Sequence, residues 1–354
     1  MMPRSSEAPP SRTRTVSGEL ALGELALIEA IRQRAARIVT GTRALRIGIG
    51  DDCAVLRPKP GHEICVTTDF SLENTHFRRD WHPPQSAGHR CLARGLSDLA
   101  AMGAKPLAVF LSLALPPRTP AAWVDGFLDG LTALAEKARV PLAGGDTAQS
   151  QELIAADIVA IGQVPRGQAR LRSGAQPGDA LYVTGALGGA AAELLALSQN
   201  PRKFRRLTAS ALAHPHLYPD PRLAAGRRLR KLAHAGIDLS DGLSTDLAHL
   251  CQASNLAAVI EETALPIHSL ALAAEHAGAT PSALELALHG GEDYELLFTA
   301  AARVRIPRRI AGVPIHCIGT MRSRRPHQPQ VILRTMDGRE TTLAASGWEH
   351  FKAK

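Results

Sequence analysis

From Gly18 the apolar residues Leu20, Leu22, Leu25, Ile28 and Ile31 recur at helical spacing, and the pattern stops at the Gly41-Thr42-Arg43 turn. Two short runs of strand character follow, Arg46 to Ile49 and Glu63 to Thr68, and each delivers acidic residues at its C-terminal end. Ligands of α/β sheets collect at such ends. Ser86 to Met102 reads as a helix with Cys91, Leu92, Leu96 and Leu99 on one face; Asp98 lies off that stripe, four residues after Arg94, where an i,i+4 ion pair is the plainest expectation. The apolar run Leu107 to Leu115, a helix over Trp123 to Ala138 and a strand over Ile154 to Gln163 close an α/β domain near residue 164.

The second half opens with a loop, a turn and a strand over Arg172 to Gly185. A helical stretch from Ala190 to Arg230 follows, broken at Asn200-Pro201 and again from His214 to Pro221. Ile237 to Leu239 is a short strand, and Leu243, Leu247 and Leu250 mark an amphipathic helix whose N-cap falls at Ser240 or Asp241. Residues 290 to 299 form a turn entering a strand. Residues 1 to 17 are rich in Ser, Pro and Arg without periodicity, which predicts disorder.

Composition narrows the class. At 354 residues the chain exceeds the size at which a single core stops growing, so two domains are expected. Hydrophobic residues make up 45% but aromatics only 4%, so packing rests on Ala, Leu, Val and Ile. There is neither an eighteen-residue apolar run nor a charged leader followed by an apolar core, which argues against a membrane span and a secretory signal and for a cytoplasmic protein. Five cysteines, Cys53, Cys65, Cys91, Cys251 and Cys317, form no C-x-x-C pair and read as reduced, mostly buried thiols. The net charge is +8, yet the basic runs Arg202 to Arg206, Arg227 to Lys231 and Arg322 to Arg325 lack interleaved aromatics and read as solvated faces. No nucleic-acid partner is expected.

Against that positive balance, nine acidic residues gather at glycine-rich or strand-end positions: Asp51 and Asp52, Asp69, Asp98, Asp146, Asp238 and Asp241, and Glu292 and Asp293. Carboxylates suit Mg²⁺, and glycine lets a phosphate approach the backbone. Each group alone has an ordinary explanation, a helix cap or a turn. The ordered set points to nucleotide chemistry.

In this set the chain resembles the thiamine-monophosphate kinase family of the aminoimidazole-ribonucleotide-synthetase-like superfamily. The resemblance rests on Gly48-Ile-Gly-Asp-Asp-Cys-Ala, Thr67-Thr-Asp, Thr75-His76-Phe77, Ser97-Asp-Leu-Ala-Ala-Met-Gly-Ala, Gly144-Gly-Asp-Thr, Arg172-Ser-Gly-Ala, Asp238-Leu-Ser-Asp-Gly-Leu and Gly290-Gly-Glu-Asp-Tyr-Glu-Leu. It implies a two-domain α/β (α+β) fold, with an N-terminal domain over 18–164 that binds ATP and Mg²⁺ and pairs its sheet with its counterpart in a homodimer. An α/β domain over 165–354 follows. It further implies transfer of the γ-phosphoryl of ATP to thiamine monophosphate, with several Mg²⁺ ions held by Asp52, Thr67, Thr68, Asp69, Asp98, Asp146, Asp238 and Asp241. Gly145, Asp146, Arg172 and Ser240 would meet ATP, and His76, Glu292 and Trp348 the thiamine phosphate. Asp146, Asp241 and Arg172 would carry catalysis.

Three rivals stay open at this point. Selenophosphate-synthetase-like relatives use a reactive cysteine near the N-terminus, and none precedes Cys53 here. Hydrogenase-maturation relatives end in a cysteine, whereas this chain ends Phe-Lys-Ala-Lys. Against a cyclo-ligase stands the Gly-Gly-Glu-Asp-Tyr-Glu-Leu run.

Overall fold

The computed structural model describes residues 23–38, 44–204, 214–348 and 351. The tail 1–17, Leu20, Leu22, the turn at 41–43, and Arg205 and Arg206 of the basic run lie outside the described residues. The first unit comprises α1 (Glu24–Arg37), β1 (Leu45–Ile47), β2 (Val55–Leu56), β3 (His62–Leu72), α2 (Pro84–Ala101), β4 (Lys105–Leu115), α3 (Ala121–Ala138), β5 (Leu142–Gln149) and β6 (Ala155–Pro165). Strands β1 and β2 form a small antiparallel pair, and the other four make a sheet of order β3-β6-β4-β5 in which the β4–β5 pair is parallel. One face of that sheet is the core. Leu92, Leu96 and Leu99 of α2 and Phe127 and Leu131 of α3 pack on Leu111, Leu113 and Ile158.

Alternation dictates the other face. Strand residues point to opposite sides in turn, so β3 sends Cys65, Thr67, Asp69 and Ser71 toward the helices and leaves Ile64, Val66, Thr68 and Phe70 exposed. Val66 is 60% and Phe70 61% accessible, an apolar stripe that none of the described residues covers. The two helices approach each other closely because Gly130 carries no side chain: a Cβ there would lie 1.9 Å from the carbonyl oxygen of Gln85.

The second unit comprises β7 (Ala180–Thr184), α4 (Gly189–Gln199), α5 (Leu223–Leu229), β8 (Ala235–Asp238), α6 (Leu243–Ser254), β9 (Leu256–Glu261), α7 (Ser269–His276), α8 (Ala283–His289), β10 (Leu296–Ala300), β11 (Arg309–Ile310), β12 (Val313–Ser323), β13 (Val331–Arg334) and β14 (Glu340–Thr342). The sheet runs β14-β13-β9-β12-β7-β10-β8, with β11 added beside β12, and its core joins Leu247 and Leu250 of α6 to Ile260, Leu297 and Ile318. Helix α8 starts in a capping box in which Ser282 and Glu285 satisfy each other's backbone N–H groups.

Helix α2 serves both units, touching β3 and β6 on one side and α5 and β8 on the other. Its last turn joins Leu229, Leu296 and Phe298 through Ala100 and Ala101. Beside it the buried guanidinium of Arg170 donates to the carbonyls of Ala100 at 3.0 Å and Gly226 at 3.3 Å, two helix ends that need donors.

Four local expectations are corrected. Gly144-Gly145-Asp146-Thr147 lies inside β5 rather than at a strand end, because β4 pairs with it from Leu142 to Gln149. Neither Ser240 nor Asp241 caps α6; Gly242 takes that position, and the carboxylate of Asp246 accepts from the N–H groups of Asp241 and Gly242 at 3.0 and 3.1 Å. Asp293 is no plain turn residue, since its buried carboxyl accepts from Gly188 at 2.7 Å and Ala190 at 3.1 Å at the start of α4. Of the five free cysteines only Cys91 and Cys251 are buried, while Cys53 and Cys317 are exposed.

Candidate active site

The acidic motifs assemble into two groups on opposite faces of the first sheet. In the first, β3 turns Thr67 and Asp69 toward α2, which supplies Asp98, and β8 ends in Asp238. Thr67 donates its hydroxyl to Asp98, and Ser97 donates to Oδ2 of Asp238 at 2.6 Å across the two units. Arg172 and Asp238 share a cavity of about 460 Å³ with Thr67, Asp98, Cys65 and Met102. Burial, then the neighbouring Asp98 charge, pushes the carboxyls of Asp69 and Asp238 up to about 7, with Arg94 partly opposing the shift at Asp69.

Asp52, Gly145 and Asp146 form the second group, around a cavity of about 670 Å³ that Ile28 and Ile31 of α1 close on one side. Gly145 has φ 151°, and a Cβ there would meet the carbonyl oxygen of Leu111 at 1.8 Å. No other residue fits that strand position. The strand register places Asp69, Ile158, Leu111 and Gly145 in one row, so three strand spacings, roughly 14 Å, separate the groups. Asp146 and Thr68 face outward, with the exposed stripe; Asp69 and Thr67 face α2. Within one chain the eight residues expected to form the Mg²⁺ shell are therefore not brought together.

A third cluster surrounds Glu292. The turn after Gly291 holds Glu292 at φ 67° and Tyr294 at φ 50°, fixed by N–H bonds from Glu292 to the carbonyl of Ser240 at 2.8 Å and from Tyr294 to that of Leu239 at 2.9 Å. Arg90 donates to Glu292 Oε1 at 2.6 Å and to the carbonyl of His76 at 3.2 Å, so one guanidinium links two residues expected at the substrate. His216 lies 3.2 Å from the other carboxylate oxygen. Burial works against the Glu292 charge, but Arg90, His216 and Arg94 outweigh it and hold the carboxyl well below its ordinary range. Trp348 is 54% accessible and donates its backbone N–H to the Asp241 carbonyl at 3.1 Å, which ties the C-terminal segment to the start of α6.

Arg94 does not pair with Asp98 as its spacing suggests. Its guanidinium lies 3.8 Å from Asp69 and 3.7 Å from Glu292, because the Asp98 carboxylate is engaged by Thr67. Arg90, Arg94, Ser97 and His216 join the site beyond the residues that the motifs assign to it. The two arginines share a helix face with i,i+4 spacing, a signal available in the sequence, whereas His216 comes from 126 residues beyond Arg90 and had none.

Among the described residues no group of three or more His, Cys, Asp or Glu side chains converges tightly enough to hold a metal ion. The donor set nevertheless fits a divalent cation: Asp69, Asp98 and buried Asp238 repel one another, and Oδ2 of Asp69 is buried without a hydrogen bond.

Two α/β units with carboxylates gathered where they meet define a class. Residues 50–164 match the N-terminal domain, and residues 176–304 the C-terminal domain, of AIR synthase related protein. Within that class the chain is 38% identical over 338 residues to thiamine-monophosphate kinase of Escherichia coli K12, spanning 94% of this chain and 99% of the relative. The crystal structure of thiamine-monophosphate kinase from Stenotrophomonas maltophilia K279a superposes with a TM-score of 0.75 at 36% identity, covering 90% of this chain and 98% of that one. AaThiL complexed with AMPPCP and TMP superposes with a TM-score of 0.70 at 29% identity, covering 93% and 97%. The chain belongs to the thiamine-monophosphate kinase family.

Proposed function

We propose that this enzyme transfers the γ-phosphoryl group of ATP directly to the phosphate of thiamine monophosphate, giving thiamine diphosphate and ADP. The observation that carries the reading is the partly buried Asp69–Asp98–Asp238 cluster, whose mutual repulsion and unpartnered Asp69 Oδ2 favour bound cations. Mg²⁺ bound there would neutralise the charge that develops as two polyanions meet in line. Asp52, Thr67, Thr68, Asp69, Asp98, Asp146, Asp238 and Asp241 are the residues assigned to hold it. Gly145, Asp146, Arg172 and Ser240 bind ATP in this reading, with the Arg172 guanidinium a fixed cation suited to a phosphate. His76 and Glu292, joined through Arg90, receive the thiamine phosphate. Trp348 offers a ring face to the cationic thiazolium. No general base is needed, since the acceptor's second pKa is about 6 and its oxygen is already largely deprotonated at neutral pH.

The separation of the two acidic groups is resolved by a homodimer. Pairing the uncovered faces of two N-terminal sheets would bury Val66 and Phe70 and carry Asp146 of one chain toward Thr68 of the other, beside the Thr67 and Asp69 positions of the same strand. The division near residue 164 then separates a dimerising unit from one that closes over the nucleotide. A cytoplasmic location agrees with the use of ATP.

Purified protein given ATP, Mg²⁺ and a panel of acceptors tests the reading. Thiamine monophosphate should be converted to the diphosphate, and free thiamine should not be phosphorylated, because its hydroxyl demands a base that the site does not assign. Turnover of free thiamine, or none with the monophosphate, rejects it.

A further inference from the structure

Among the arginines at the meeting of the two units, Arg90, Arg170 and Arg222 each make at least two hydrogen bonds, although Nε of Arg170, like that of Arg230, is buried without one. Arg90 donates to Glu292, to the carbonyl of His76 and to the carbonyl of His216. Arg170 binds two helix-end carbonyls. Arg222 engages both carboxylate oxygens of Glu295. Arg94 differs. Its Nε is buried and makes no hydrogen bond, its single hydrogen bond is a long one to the Tyr294 hydroxyl at 3.4 Å, and its two nearest carboxylates stand off at 3.8 and 3.7 Å. Part of the side chain, 18%, is open to solvent.

The position matters as much as the open donors. Arg94 lies between Asp69, assigned to the cations, and Glu292, assigned to the acceptor, one helical turn before Ser97 and Asp98. A guanidinium presents a planar fork that matches the oxygens of a phosphate, and an Arg–phosphate pair is a strong charge-assisted contact. An arginine held near two carboxylates but bonded to neither keeps that fork available.

We infer that Arg94 binds the phosphate of the acceptor, and so makes the site select a phosphate monoester over the corresponding alcohol. The inference rests on the proposed acceptor. Arg94 adds a fixed cation at the point where the acceptor phosphate must be held for in-line attack, and its place 3.7 Å from Glu292 sets that phosphate beside the other residue assigned to the acceptor.

Calorimetric titration of wild type, Arg94→Gln and Arg94→Lys with thiamine monophosphate and with thiamine, in Mg²⁺ and AMPPCP, tests this. In Arg94→Gln the affinity for the monophosphate should fall on the order of tenfold to a hundredfold, the range of a lost hydrogen bond to a charged group. Affinity for thiamine should change less than twofold. Arg94→Lys keeps the charge but loses the fork and should fall between. Equal shifts for both ligands, or none for either, would assign Arg94 a structural role and overturn the inference. If Arg94→Gln does not fold, judged by its melting curve, Arg94→Lys decides by the same comparison. Wild type that phosphorylates no thiamine monophosphate would instead reject the proposed function, a result the wild-type assay alone identifies.

Discussion

Ser97 and Asp238 meet at 2.6 Å across the two units, a hydroxyl from the last turns of α2 against the carboxyl that ends β8. Both side chains are buried. The bond gives that hydroxyl a double duty, holding the units in register and steadying Asp238 among its acidic neighbours. Ser97→Ala should therefore destabilise the protein by about 1–3 kcal/mol, the cost of leaving a buried acceptor unmet. Chemical unfolding measures it, and a variant as stable as wild type would show that the contact contributes nothing.

Asp146 separates a nucleotide site from a strand residue of no chemical consequence. Asparagine has nearly the same size, so Asp146→Asn should keep the fold while removing one charge from the cation shell. Turnover should drop on the order of 10²-fold or more, by analogy with the loss of one preorganised electrostatic stabiliser. Melting temperature and activity over a Mg²⁺ titration check this; normal stability with near-normal activity at limiting Mg²⁺ removes Asp146 from the site.

Val66 tests the dimer. At 60% accessible it contributes little within one chain, so Val66→Asp should leave the protomer folded. Sedimentation should show a monomer, and activity should fall with dissociation if the site is shared between two chains as proposed. A wild type that is monomeric and fully active contradicts the proposal directly.

His89 sets a pH dependence. Its Nε2 donates to the carbonyl of Pro219 at 2.7 Å, and burial, partly offset by that bond, lowers its pKa from 6.5 to about 4. The folded state favours the neutral ring, so its contribution is complete above the unfolded value of 6.5 and is lost as pH falls toward about 4. Between pH 7 and pH 5 this group should cost about 2 kcal/mol of stability. Urea unfolding of His89→Gln at the two pH values should show that part of the slope removed; an unchanged slope would place the titration elsewhere.

Much of this molecule was readable before its structure. The helices over α2 and α3 and the strands β4 and β6 follow from periodicity because each buries a continuous apolar stripe, whereas β3 is legible from alternation alone, its apolar side being the exposed one. Strand β5 escaped that reading. Its glycines mimic a turn, yet Gly145 is required there because β4 passes too close for any Cβ. Asp246 was invisible as the group that holds the Asp241 and Gly242 amides, since it lies inside the helix it serves. The acidic motifs were found as a set, but their distribution over two sheet faces depends on strand parity, and spacing along a chain carries no parity between distant strands.

Helix α2 gives the site a measuring rod. Arg90, Arg94 and Asp98 follow one another at four-residue intervals, so the contact with Glu292 and the contact with Thr67 are fixed about 12 Å apart along one axis by the rise of 1.5 Å per residue. Loops could stretch or shorten that interval. A continuous helix clamped between two sheets does not, and the distance between those two contacts is therefore written into two turns of hydrogen-bonded backbone.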